Sequence, residues 1–513
     1  MSVEKEDNPY EPAEETGTPS SKKANKKSLT SRTVRGMGWM IGSSACQVLL
    51  KIFFFILLAR LLSPADYGVA GAALVIIGFA TIFSQVGVGQ ALIYQPDLND
   101  QQIASANLVS ILLGLLVTLL LIAAAPLAAW FFDDPNVTGA LRLTACAFVL
   151  RGVSTVAESL LERDLEFQAI AIRDVLTNLV GQGAVGLPLA MLGFNYWSLC
   201  WAFLAGELLR TAFLLLRKPH ARKLNGSLDV RGLVRFGSGM SITVLVNRLS
   251  IQLDTILVGR FLGTEMLGFY GRAHQLAAMP ASMFGKVYSK VLFPAMNSVR
   301  EDQEKLRHVH SEVISALSLV VLPATLAAFF VAPYIIPMLI SDKWATMIEP
   351  FQILVLGIYF RLGYKVSDVL MKSKGQVYRL AIMHGSYALY VLVLVWIGVQ
   401  FGLRGVAIGI LCSVVFQFIG NTVMGMRISG LRISQLAKAH VPGLCHSALV
   451  IVLGIGTTLI IQKYELAPIW FIALFLGALS ACHLAGMAVW RLRWFGVAGK
   501  MLESRLRLAF KPA

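Results

Sequence analysis

The stretch Leu57–Ala73, LLARLLSPADYGVAGAA, aligns without gaps on Leu257–Ala273, LVGRFLGTEMLGFYGRA, 200 positions downstream. Leu57, Arg60, Leu62, Gly68, Gly71 and Ala73 recur as Leu257, Arg260, Leu262, Gly268, Gly271 and Ala273. Each copy reads as an apolar helix closing on an arginine, then a tight turn, then the glycine-containing start of the next helix. Apolar composition alone would repeat Leu and Ala rather than Arg and Gly at fixed places. Six helices lie between the copies, so both run in the same direction. That makes a parallel repeat about an axis along the membrane normal, with two lobes.

The rest of the chain supplies those helices. Of 513 residues, 56% are apolar and 14% charged, against roughly 25% charged in a soluble protein, and mean hydropathy is +0.68. This composition excludes a soluble fold and implies an all-α polytopic membrane protein. Fourteen apolar segments stand out, at 36–62, 67–93, 104–132, 137–161, 168–192, 195–216, 233–260, 265–293, 312–340, 346–371, 377–400, 404–427, 441–462 and 468–490. They are long and do not alternate, which selects helices over barrel strands. The formal charge of +16 does not mark a nucleic-acid binder, because most basic residues sit between apolar runs, where they act on topology. The even loops hold Arg217, Lys218, Arg222, Lys223, Arg231, Arg300, Lys305, Arg307, Lys372, Lys374, Arg379, Arg432 and Lys438. Such clustering puts them, and both termini, in the cytoplasm. The six cysteines fall inside apolar segments without metal-ligand spacing and are expected to be small buried residues.

Six regions follow. Residues 1–35 pass from acidic to basic with few apolar residues, which predicts a disordered cytoplasmic tail rather than a signal peptide. An N-lobe of six helices occupies 36–216, and a basic cytoplasmic linker 217–235. A second six-helix lobe spans 236–427, two appended helices fill 428–491, and a basic cytoplasmic tail ends the chain at 492–513.

Ionisable groups at membrane depth cost about 2.5–3.5 kcal/mol each on insertion scales, so they require pairing or water. Lys51, Arg151, Arg248 and Arg361 fall near the bilayer midplane of four spans, with Arg272 and Lys365 on neighbouring polar stripes. Glu158, Asp254 and Asp368 share those helices and are assigned to ion pairing or ion coupling. Cations outnumber acids in this set. The surplus predicts a positively charged central cavity for an anionic group such as a diphosphate, with arginine supplying a bidentate fork. Snorkelling is the expected behaviour of Lys286, Lys290, Arg60 and Arg260. His308 and His310 read as a solvated face, and His384 as a packing residue or a proton relay. No nucleotide-binding loop is present, and the loops of the opposite side are too short for a catalytic domain. Neither a catalytic residue nor a metal site is therefore expected, and no cofactor beyond a coupling H+ or Na+.

LLARLLSPADYG (57–68), LERDLEFQ (161–168), RFGSGM (235–240), LVGRFLGTEMLGFYGRAHQLAAMP (257–280), KVLFPAMNSVREDQEKLR (290–307) and LMKSKGQ (370–376) together resemble the Wzx-type polysaccharide flippases. The similarity is to the colanic-acid-exporter-like branch of the multidrug/oligosaccharidyl-lipid/polysaccharide exporter superfamily, and it covers about the first twelve helices. The resemblance implies two six-helix lobes around a central cavity, working by alternating access in a bacterial inner membrane. It implies an undecaprenyl-diphosphate-linked oligosaccharide as cargo, for exopolysaccharide or lipopolysaccharide biosynthesis. A polymerase and a chain-length regulator are the partners expected beside membrane lipids. The family offers no strict catalytic signature, so no site residue is carried over. Two other readings stand beside it, an ion-coupled multidrug-type exporter of the same superfamily and a membrane glycosyltransferase or polymerase.

Overall fold

The computed structural model describes residues 42–44, 46–85, 88–94, 98–220, 231–287, 292–465 and 467–490. The tails at 1–35 and 492–513 and most of the 217–235 linker lie outside the described residues. Helices account for the architecture. The N-lobe is built from α1 (Gly42–Leu61), α2 (Pro64–Gln85), α3 (Val88–Tyr94), α4 (Asp100–Phe132), α5 (Asn136–Ala145), α6 (Ala147–Arg163), α7 (Phe167–Asn178), α8 (Leu187–Met191) and α9 (Tyr196–Arg217). A π-helical stretch, Leu179–Gly186, joins α7 to α8. Taking α2 with α3, α5 with α6, and α7 with α8 as single rods gives six rods among the described residues, consistent with the six helices expected.

The C-lobe repeats the plan with α10 (Arg231–Val287), α11 (Phe293–Ser298), α12 (Gln303–Leu339), α13 (Ile348–Ser373), α14 (Val377–Val399) and α15 (Gly402–Ser429). Its first two crossings are the two halves of α10, which breaks at Gly263 with φ of 85° and ψ of 171°, a backbone state that glycine adopts without steric cost. The appended α16 (Ile433–Tyr464) and α17 (Pro468–Trp490) pack on the outside of α12. Gly443 permits this, since a Cβ there would lie 2.5 Å from the Ser318 carbonyl. Among the described residues, nine helices are long and apolar enough to cross a membrane. The two halves of α10, and α13, are outside that set because they carry the ionisable residues.

Helix ends follow local sequence. Asn99 and Gln102 form a reciprocal capping box at the start of α4, and the Asp302 side chain accepts from the backbone N–H groups of Glu304 and Lys305 at the start of α12, satisfying amides that have no partner within a helix. Large apolar side chains remain uncovered along α4, where Leu112, Leu115, Leu116, Leu119 and Leu120 are all exposed. Water would not tolerate that continuous face, and lipid does. The cysteines depart from expectation. Cys200 is buried, but Cys46, Cys146 and Cys445 are exposed and Cys412 is half-buried. An apolar run shows that a cysteine is away from water, not that protein rather than lipid surrounds it.

The two copies of the repeat meet each other. A Cβ on Gly68 would stand 1.7 Å from the Thr264 carbonyl oxygen, and one on Gly268 1.9 Å from that of Pro64. Pro64 and Thr264 are themselves equivalent positions, so the contact is reciprocal, as a two-fold axis between lobes demands. Beside it, the fully buried Trp344 donates Nε1–H to the Ala59 carbonyl at 2.8 Å. Its ring meets Phe55, Tyr67 and Phe269 edge-on. This hairpin end of the bundle is sealed.

Candidate functional site

Buried charge forms a separate array in each lobe. In the N-lobe, α6 contributes Arg151 and Glu158, α7 Arg173 and Asp174, and α9 Glu207 and Arg210. Arg151 pairs with Glu207 and donates Nη1–H to Thr81 Oγ1 at 2.9 Å. Its guanidinium also faces the Phe148 and Phe203 rings, each 5.7 Å away. Glu207 stands 3.6 Å from Arg210, which reaches Glu158 at 2.6 Å. Glu158 is shared with Arg173 at 2.7 Å, and Arg173 also holds Asp174. Gln47 on α1 completes the chain by donating to Asp174 at 3.5 Å. Three arginines thus face three carboxylates. Each charge has a partner across a helix boundary, which offsets much of the desolvation cost of burying it.

The C-lobe array centres on Asp254, which is 2% exposed. It accepts from the Tyr270 hydroxyl and from the Thr255 N–H at 2.8 Å, with His274 Nε2 at 3.9 Å. Arg361 on α13 lies within electrostatic reach of Asp254, Tyr270, Tyr364 and Tyr387. One to two turns along α13, Lys365 and Asp368 continue the stripe. Asn421 on α15 donates Nδ2–H to Asp368 at 2.7 Å and accepts from Gln417 at 3.1 Å. His384 on α14 approaches the other Asp368 oxygen at 3.5 Å.

Between the lobes, the Arg272 guanidinium lies over the Tyr67 ring at 4.5 Å and bonds Gln275, leaving its Nε–H without an acceptor. Lys51 is exposed on α1. Arg248 belongs to α10, but its side chain, like those of Lys286 and Lys290, lies outside the described residues. Acids and bases are thus equal in number within each array, and among the described residues named for the cavity Lys51 and Arg272 stand outside both arrays. Among the described residues, no three His, Cys, Asp or Glu side chains converge as a metal site.

Sequence reading found Arg151 and Glu158 without finding what they bind. Glu207, Arg210, Arg173 and Asp174 all interrupt apolar runs, so the signal was present. His310 is a correction: expected to be solvated, it is 0% exposed and its Nδ1 lies 2.9 Å from Ser429 Oγ. The first turns of α12 extend along α15 and bury one side of a polar segment. His308, two residues away, is largely exposed beside Glu312.

The sequence matches the family described as polysaccharide biosynthesis protein over residues 57–349, a span that includes both copies of the repeat. The chain belongs to that family. The Wzx-type resemblance therefore holds, and this polysaccharide biosynthesis protein is a multi-pass membrane protein. It is 24% identical over 352 residues to the lipopolysaccharide biosynthesis protein WzxC of Escherichia coli, covering 67% of this chain and 70% of that one. It is 27% identical over 353 residues to the succinoglycan biosynthesis transport protein ExoT of Rhizobium meliloti, with 68% and 67% covered. In fold it is similar to the lipid II flippase MurJ in an inward closed conformation, with a TM-score of 0.71, 13% identity, and 89% and 99% of the two chains covered.

Proposed function

We propose that this protein translocates undecaprenyl-diphosphate-linked oligosaccharide repeat units across the bacterial inner membrane by alternating access, for exopolysaccharide or lipopolysaccharide assembly. The observation that carries the reading is the family match across both copies of the repeat. The charge arrangement agrees with it. A diphosphate needs cations that are not already neutralised, and Arg272 and Lys51 meet that condition most directly, with Arg361 and Lys365 near Asp254 and Asp368 but not locked to them in close ion pairs. Arg151 and Arg248 complete the proposed contacts. Glu158 holds the N-lobe array together, whereas Asp254 and Asp368 pair with the C-lobe cations and carry the coupling H+ or Na+. The chain performs no covalent chemistry in this reading, and a polymerase and a chain-length regulator receive its product.

A multidrug-type exporter of cationic compounds fits less well, since it needs surplus acid where this bundle has surplus base. The positive-inside rule places the hairpin end on the periplasmic side and both termini, with the 217–235 linker, in the cytoplasm. Reporter fusions after Arg235 and after Ala513 are expected to read cytoplasmic. The deciding experiment is gene deletion. Polymer secretion should stop while lipid-linked repeat units accumulate on the cytoplasmic leaflet, and cell extracts should still extend the lipid-linked sugar. Extracts unable to extend it would make the protein an enzyme and overturn the proposal.

A further inference from the structure

The repeated arginines outside the polar arrays are placed in a way that snorkelling does not explain. Arg60 ends α1 of the N-lobe, yet its Nε and Nη2 donate to the carbonyls of Leu339 and Met338, at 2.7 and 3.0 Å, on the last turn of α12 in the C-lobe. Arg260, its equivalent in the C-lobe, donates Nη1–H to Phe131 and Trp130 carbonyls at 2.8 and 3.3 Å, on the last turn of α4 in the N-lobe. The third crossing of each lobe therefore has its C-terminal carbonyls closed by an arginine from the other lobe. Those carbonyls have no partner within their own helix and carry the negative end of its dipole, so a guanidinium suits them on both counts.

Neighbouring bonds reinforce the exchange. Lys343 Nζ donates to the Arg60 carbonyl at 2.8 Å, and Thr264 Oγ1 to Asp134 at 2.8 Å. Between the two arginines the lobes touch through Gly68 and Gly268, backbone against backbone, beside the aromatic seam of Trp344, Phe55, Tyr67 and Phe269.

We infer that Arg60 and Arg260 are a reciprocal pair of latches that hold the hairpin end of the transporter shut, and that both must let go before cargo leaves there. They are positioning residues for the transport step. The inference rests on the alternating-access reading above.

The test uses the full-length protein in lipid nanodiscs without lipid-linked sugar. Every cysteine except the buried Cys200 is replaced, and a reporter Phe269→Cys is placed in the sealed seam, where Phe269 is 5% exposed. The readout is the rate of labelling by a water-soluble maleimide. Arg60→Ala and Arg260→Ala should each raise the rate at the reporter about three- to tenfold, as expected for losing charge-assisted bonds that are partly screened by solvent. The double variant should exceed either single one, and lysine at both sites should restore part of the protection. Cys200 should stay protected throughout. An unchanged rate in the double variant overturns the inference, and so does labelling that rises equally at Cys200, because that reports general loosening. An export defect without faster labelling also counts against the latches, while leaving the flippase reading in place.

Discussion

Consider the pair Arg151 and Glu207, whose side chains are 17% and 10% exposed. Removing one partner of a fully buried ion pair costs about 3–5 kcal/mol, because the other is left charged and unsolvated. The two truncations are unequal here. Arg151→Ala leaves Glu207 with Arg210 at 3.6 Å, so its cost should fall to about 1–2 kcal/mol after solvent screening. Glu207→Ala strands Arg151, which has no second carboxylate among the described residues, whereas Arg210 keeps Glu158 at 2.6 Å, and about 2–3 kcal/mol is expected. The double variant removes the charge that Glu207→Ala would strand on Arg151, so the losses should fall short of additive by about 1–2 kcal/mol. Thermal unfolding of the purified protein in detergent reads this directly, with polymer export per folded molecule as a second axis. Strict additivity would refute the reasoning. So would a Glu207→Ala protein that melts like the parent and binds a diphosphate more tightly, since Arg151 would then be reserved for cargo rather than committed to the array.

Further outcomes follow from the same geometry. Gly68→Ala and Gly268→Ala each force a methyl group into a backbone carbonyl, at about 1–3 kcal/mol or more, and should lower folded yield and melting temperature. Gly71→Ala, with nothing within 4 Å of the added carbon, should do neither. Asp254→Asn and Asp368→Asn keep side-chain shape and should accumulate normally. Transport of lipid-linked oligosaccharide into vesicles should fall far more than binding of the same molecule; equal losses would remove the coupling role. Asp302, outside the spans, is held below the usual carboxylate range by the Lys305 amide and ammonium and by the Glu304 amide. A depressed acid stabilises the fold above its unfolded pKa, so this contribution should vanish as the pH falls below about 4. Asp302→Ala should melt less differently from the parent at acid than at neutral pH.

Crossings were legible in the sequence because apolar length is a local property: the described parts of the fourteen segments fall mainly in helices, and Gly263, in the turn of the second copy, sits where α10 breaks. Partner choice was not. Arg151 and Glu158 are two turns apart on one face, the first assigned to the cavity and the second to pairing or coupling, but their bonds run to Glu207, Arg210 and Arg173, whose azimuth about α9 and α7 no linear spacing reveals. Arg60 illustrates a different limit. Its place at a helix end near the membrane surface reads as snorkelling, and only the approach of α12 from the other lobe shows a set of carbonyls waiting for it. His310 was misread because a polar neighbourhood in sequence became a helix–helix contact in space.

The π-helical stretch Leu179–Gly186 carries one residue more than regular winding would need. Deleting one residue there would yield a smoother helix, yet it would rotate everything upstream by about 100° relative to everything downstream. Within the stretch, Gly181 and Gly186 are pinned against Ala202 on α9, where a Cβ would meet it at 2.6 and 2.9 Å. Upstream, Arg173 and Asp174 would swing away from Glu158 and Gln47. The surplus residue therefore sets phase: it lets one continuous crossing present its glycines to α9 and its charges to α6 and α1. Away from its three glycines, substitutions within the stretch should be absorbed far more readily than any change in its length.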